Sequence, residues 1–373
     1  MNFICRATQE TYPLDVPRWR SESGNLLDIQ FLPRLDWEMT TLRPYDLWRY
    51  REVMPLSDMA RPVSFGEGFT PLQKMSFGPK TAWVKLDFLF PSGSYKDRGS
   101  TLMMSYLRDR GVTEVVQDSS GNAGASVAQY AARAGIKCRI FLPAGTSPAK
   151  IAQMQFCGAE IVEIDGSRED TARAAREAAE TTFYASHVWH PLFFHGTKTF
   201  AYELYEQFNF KAPDTIVLPA GNGTLLLGVY IGFWELFHTG AIPKMPKLIG
   251  VQAAACAPLY QAFQNGETTV PALNPEPTLA EGIAIAQPLR GPQMLEYVRE
   301  TGGRFLAIEE AEIIQMWHHL ASQGYFVEPT SAAVIAGLQF YLAHEAQSDE
   351  RVVSVLSGHG LKSVEKMKRP LAG

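Results

Sequence analysis

The chain has 373 residues, 46% of them hydrophobic and 20% charged, with a formal net charge of −5. This is the balance of an ordinary globular protein long enough for two domains, and an acid-leaning chain does not suit general nucleic-acid or anionic-membrane binding. No apolar run approaches the roughly 18–20 residues of a membrane span, MNFICRATQETYP lacks the basic start and apolar core of a secretory leader, and four scattered cysteines without metal or redox spacing point to a reducing cytoplasm.

The first sixty residues are rich in Pro, Trp and Arg and show no sustained periodicity. They predict an extended arm with short helices, one of them around residues 44–53. From Thr81 onward short apolar runs alternate with helical stretches. WVKLDF precedes a helix from Lys96, EVVQD a helix from Asn122, and CRIFLP a helix from Pro148; AEIVEID, TFYAS, TIVLPA, KLIGVQ and VVSVLSG continue the series. Continuous Val/Ile/Leu strands alternating with helices predict an α/β protein with parallel sheets covered on both faces. Ligands in such folds sit beyond the C-terminal ends of the strands. The Pro- and Ala-rich residues 267–292 read as loop.

The unusual residues fall at those strand ends. In VVQDSSGNAGASVAQYAARAG, Ser119, Ser120, Gly121 and Asn122 occupy the turn before a helix. Free N–H groups of a helix start with hydroxyls beside them suit a carboxylate or phosphate, and the same residues suit a plain helix N-cap. In TIVLPAGNGTLLLGVYIGFWELF, Gly221, Asn222, Gly223 and Thr224 repeat the plan. A dinucleotide site is excluded here, because the position three after Gly223 is Leu226 and KLIGVQ ends on no acid. A smaller phosphomonoester fits better. The third cluster, LSGHGLK, offers the Ser357 hydroxyl after the last strand, and as a plain turn it needs no ligand.

Lys96 lies in PSGSYKDRGS, between a Gly/Ser turn and a helix start. A lysine near a phosphate site serves as a point charge or as a Schiff-base amine. No G-x-x-x-x-G-K-[ST] run is present for the first role. The second needs an aldehyde with a phosphate handle, which is pyridoxal 5′-phosphate. The alternative for Lys96 alone is a solvated lysine at a helix start.

PSGSYKDRGS, SSGNAGASVAQYAARAG, GNGT and SGHGLK, in this order, resemble the fold-type II pyridoxal-phosphate enzymes and are most similar to the threonine synthases. GEGFTPL (66–72) and EPTSAA (328–333) extend the resemblance over roughly residues 60–365. It implies two parallel-sheet αβα domains of the tryptophan synthase beta-like architecture with an N-terminal arm: residues 1–60 as the arm, 61–98 with 198–373 as the larger cofactor-binding domain, and 99–197 as the smaller one. It implies that Lys96 joins the cofactor aldehyde and later moves protons on the substrate carbons. Asn122 would hydrogen-bond the ring 3′-oxygen, and Ser119, Ser120 and Gly121 would hold the substrate carboxylate, with Asn122 also facing the substrate. Gly221, Asn222, Gly223 and Thr224 would cradle the cofactor phosphate, and Ser357 would face the pyridine nitrogen. Gly282, Ile283 and Ala284 would pass near the ring. The implied activity is a lyase converting O-phosphohomoserine to threonine and phosphate. The implied assembly is a cytoplasmic homodimer acting on a small amino acid, with no nucleic-acid or membrane partner and no regulatory module after residue 365.

Two departures from the threonine synthase pattern are visible. Cys5 is accompanied by Thr8, Ser21 and Ser23 where related chains carry further cysteines, so the arm is zinc-ribbon-like in shape with no metal expected. In SHVWHPLFFHGTKTFAYEL, Phe193 or Phe194 stands where the family places a phosphate-binding arginine, while Lys198 remains as a substrate-binding cation. His187, His190 and His195 lack the spacing and nearby acids of a metal site, and they read as lining a cleft or capping loops. The aromatic at 193 and the segment LAEGIAIAQP keep open a serine/threonine dehydratase-like ammonia-lyase or a β-replacement enzyme. An intact lysine and phosphate loop argue against a non-catalytic binding protein.

Overall fold

The computed structural model describes residues 1–56, 61–146, 148–166 and 168–367. The arm boundary expected at residue 60 falls outside them. The chain divides into two compact units: residues 1–69 with 96–199, and residues 70–95 with 200–373.

In the first unit a four-stranded, wholly parallel sheet runs in the order Glu160–Ile164, Lys137–Pro143, Glu114–Gln117, Phe183–Tyr184. Its crossovers are the helices Asn122–Ala134, Pro148–Phe156 and Arg168–Ala178. The helix starts at Asn122 and Pro148 coincide with those the sequence predicts. The helix Asp97–Asp109 also belongs here and is buried from Asp97 to Leu107, so its packing rather than its mixed composition stabilises it. The N-terminal stretch corrects the expectation of an extended arm. Asn2–Cys5, Thr11–Pro13 and Leu27–Gln30 form a three-stranded antiparallel sheet, because Phe3, Cys5 and Leu27 alternate inward and are fully buried. The helix expected near residues 44–53 is the 3₁₀ segment Leu47–Val53, started by Asp46, whose carboxylate accepts from the Arg49 amide.

The second unit holds a six-stranded sheet in the order Arg304–Ile308, Lys247–Ala253, Thr215–Pro219, Val352–Val355, Lys80–Lys85, Leu72–Phe77. Every pair is parallel except the last. Thr215–Pro219 and Val352–Val355 are buried at every residue, as strands covered on both faces must be. The helix Pro329–His344 is buried without a break from Pro329 to Leu338. It lies against the sheet where Gly337 has no side chain; a Cβ there would meet Val251 Cγ2 at 2.6 Å. No helix among the described residues is long and apolar enough to cross a membrane.

Candidate active site

In the first unit, Lys96 is the N-cap of the helix Asp97–Asp109 and makes no side-chain cap bond. Asp97, next along, is fully buried and accepts a hydrogen bond from Ser126 Oγ at 2.6 Å; Ser126 also meets Ser100 Oγ at 2.7 Å. Ser126 lies one turn into the helix Asn122–Ala134, so the Lys96 and Asn122 helix starts are pinned to each other. That second start is built tightly as well. Gly121 is the N-cap and carries no side chain, Ser119 Oγ accepts from the Gly121 amide at 3.3 Å, and a Cβ on Gly124 would meet the Ser119 carbonyl at 1.9 Å. The cap seen here is therefore Gly121, not a serine or asparagine side chain.

The short helix Pro191–Thr197 packs on the same Lys96 helix. Phe193 is fully buried, its ring fills the space a Cβ on Gly99 would take (2.4 Å), and Lys96 Nζ stands 6.0 Å from its centroid. A Cβ on Gly196 would meet the Arg98 carbonyl at 2.0 Å. Close approach thus requires glycine on both helices, and Lys198, two residues after Gly196, is fully buried. Lys198 Nζ is 2.9 Å from His195 Nδ1 and 5.1 Å from the Phe31 ring centroid. Burial, then the Lys198 charge, hold the His195 pKa well below its ordinary 6.5, so the imidazole is neutral and accepts from the ammonium. His190 caps its helix by accepting from the Leu192 amide at 3.3 Å. Among the described residues no group of three or more His, Cys, Asp or Glu is arranged to hold a metal ion.

In the second unit, Gly221–Thr224 and Ser357 follow the adjacent strands Thr215–Pro219 and Val352–Val355. Gly223 adopts φ 74 and is the N-cap of the 15-residue helix Thr224–His238; L side chains resist that backbone conformation. A Cβ on Gly221 would meet Ile283 Cα at 2.9 Å and the Gly282 carbonyl at 3.0 Å, so the GIAIA segment closes on this loop. The helix Pro329–His344 fixes both neighbours through consecutive side chains. Thr330 Oγ1 accepts from the Gly282 amide at 3.2 Å, and Ser331 Oγ accepts from the Ser357 amide at 2.9 Å and lies 3.3 Å from Ser357 Oγ.

These residues fit pyridoxal phosphate, each within its own unit. The first supplies an amine beside an uncapped helix start. The second supplies a glycine cradle without room for a Cβ, heading a long helix whose amides and dipole favour an anion, and a buried hydroxyl at the end of the next strand. Ser94, two residues before Lys96, adds a fully buried Oγ with no hydrogen-bond partner.

Sequence reasoning missed Tyr95, whose hydroxyl is 2.8 Å from Thr224 Oγ1, and Ser331. Ser331 lies within EPTSAA, so its residue type was visible and only its partner was not.

A family model described as pyridoxal-phosphate dependent enzyme matches residues 63–358. The chain is 35% identical over 373 residues to threonine synthase of Methanocaldococcus jannaschii, covering 96% of this chain and 92% of that one. It is 37% identical over 322 residues to threonine synthase of Mycobacterium tuberculosis, covering 84% and 87%. Among solved structures, threonine deaminase isoform 2 from Solanum lycopersicum superposes with TM-score 0.70 at 21% identity, covering 96% and 95%. Serine racemase from Dictyostelium discoideum superposes with TM-score 0.67 at 22% identity, covering 78% and 92%. At these identities the structures share the fold.

Proposed function

Since the chain belongs to the threonine synthase family of pyridoxal-phosphate-dependent enzymes, we propose that it converts O-phosphohomoserine and water to threonine and phosphate, with Lys96 as the cofactor amine. The observation that carries the assignment is the helix start at Thr224, where Gly223 brings no side chain and leaves the first-turn amides to an anion. Gly221, Asn222, Gly223 and Thr224 hold the cofactor phosphate there. Asn122 would bond the ring 3′-oxygen, and Ser357 would face the ring nitrogen.

Bound pyridoxal phosphate supplies the electron-withdrawing ring that makes protons on the substrate's α and β carbons removable. Ser357, a neutral hydroxyl, does not hold the ring nitrogen protonated as a carboxylate would, which favours loss of a substituent over transamination. Ser119, Ser120, Gly121 and Asn122 bind the substrate carboxylate at a helix start. Lys96 removes the α and β protons and returns protons to the α and γ carbons. Phosphate departs from the γ carbon, the hydroxyl of water joins the β carbon, and the remaining proton of water leaves on the phosphate, so atoms balance. Lys198, held by His195, binds the phosphate tail. A homodimer in the cytoplasm completes the proposal; all four cysteines are free, as a reducing compartment permits.

One observation favours a second activity. Phe193, beside Lys96, offers an uncharged ring, which suits a small amino acid without a phosphate tail. Assaying both activities separates the two. Threonine and phosphate released in equal amounts from O-phosphohomoserine, with loss of turnover and of the visible cofactor band in Lys96→Ala, is the expected result. Keto acid from serine or threonine, without phosphate release at millimolar O-phosphohomoserine, would overturn it.

A further inference from the structure

Tyr95 is fixed at both ends. Its amide donates to the Ser357 carbonyl at 3.1 Å, and its hydroxyl lies 2.8 Å from Thr224 Oγ1. Thr224 is almost wholly buried and opens the helix behind the glycine cradle. The two hydroxyls have one proton each, and at 2.8 Å one of them donates to the other. A phosphate monoester dianion at this helix start presents acceptors only. If Thr224 donates to it, Thr224 cannot also donate to Tyr95, so the short contact survives only with Tyr95 as donor. A phenol is a stronger acid than an aliphatic alcohol and so the better donor of the two.

We propose that Tyr95 is a positioning residue for the cofactor phosphate: its phenol donates to Thr224 Oγ1 and commits the Thr224 proton to the phosphate. Phenol, alcohol and phosphate then form one chain in which each hydrogen bond polarises the next. The proposal rests on the assignment of Gly221–Thr224 to the cofactor phosphate.

The test titrates the full chain, stripped of cofactor, with pyridoxal phosphate and with pyridoxal, which lacks the phosphate. Dissociation constants are read from visible absorbance, and the ³¹P resonance of the bound cofactor is recorded. Tyr95→Phe removes one oxygen and keeps the ring packing. It should weaken pyridoxal phosphate about 3–10-fold, the worth of one net hydrogen bond, shift the ³¹P resonance, and leave pyridoxal unchanged. Thr224→Ala should weaken pyridoxal phosphate selectively too, and Tyr95→Phe added to it should have no further effect. If Thr224→Ala leaves the ratio of the two affinities unchanged, the assignment of the loop fails. If Thr224→Ala changes that ratio but Tyr95→Phe does not, weakens both ligands alike, or acts equally in the Thr224→Ala background, the positioning role of Tyr95 is overturned.

Discussion

His195 lies in the short helix Pro191–Thr197 and Lys198 caps its C-terminus, and their pairing has a consequence for pH. Burial and the neighbouring ammonium keep His195 neutral. A histidine depressed on folding binds fewer protons in the folded than in the unfolded chain, so the unfolded chain gains as protons are added. Its contribution is present in full above the unfolded value near 6.5 and is lost as pH falls from there towards the folded pKa. Urea midpoints of the wild-type chain should therefore fall between about pH 7 and pH 5, and His195→Gln should flatten that slope; an unchanged slope would place the titration elsewhere. The sequence offered three histidines and one lysine in this stretch, but which imidazole meets the ammonium depends on how the helix turns against its neighbour. His190 caps the start of the helix Pro191–Thr197, where the sequence suggests cleft lining or a loop cap.

At the scale of elements, the helix Pro329–His344 acts as a brace. Thr330 and Ser331 at its start hold Gly282 and Ser357, on loops about fifty and twenty-five residues away in sequence. Ser331→Ala removes the acceptor for the Ser357 amide in a fully buried setting. It should cost about 1–3 kcal/mol, the penalty of an unsatisfied buried donor, measured by urea unfolding of the full chain. The strands formed by TIVLPA, KLIGVQ and VVSVLSG were legible because continuous burial demands continuous apolar residues. Leu72–Phe77 was not, since this edge strand buries only Met75 and shows no apolar period. The N-terminal sheet escaped for a related reason, as strands of three or four residues are too short to establish alternation.

At the scale of the whole molecule, the second unit is assembled from distant parts of the chain, 70–95 and 200–373. A fully buried ion pair joins them: Lys85 Nζ lies 2.7 Å from Glu203 Oε2, and it also donates to the Thr70 carbonyl at 2.7 Å. Removing one partner strands the other charge away from water. Glu203→Ala should therefore destabilise the chain by about 3–5 kcal/mol; a loss below about 1 kcal/mol, the range of an exposed pair, would show that water reaches Lys85. By itself the sequence determined the alternation of strands and helices, the strand-end position of the unusual residues, and their chemical types. Each of those depends on neighbours within one strand, turn and helix start, where backbone geometry and residue type are tied together. Only the tertiary structure decided that Tyr95 meets Thr224, Ser331 meets Ser357, and Lys85 meets Glu203. Those pairings join residues far apart in the chain, and hydrogen bonding of a side chain at that range is set by topology and packing, on which local pattern carries no information.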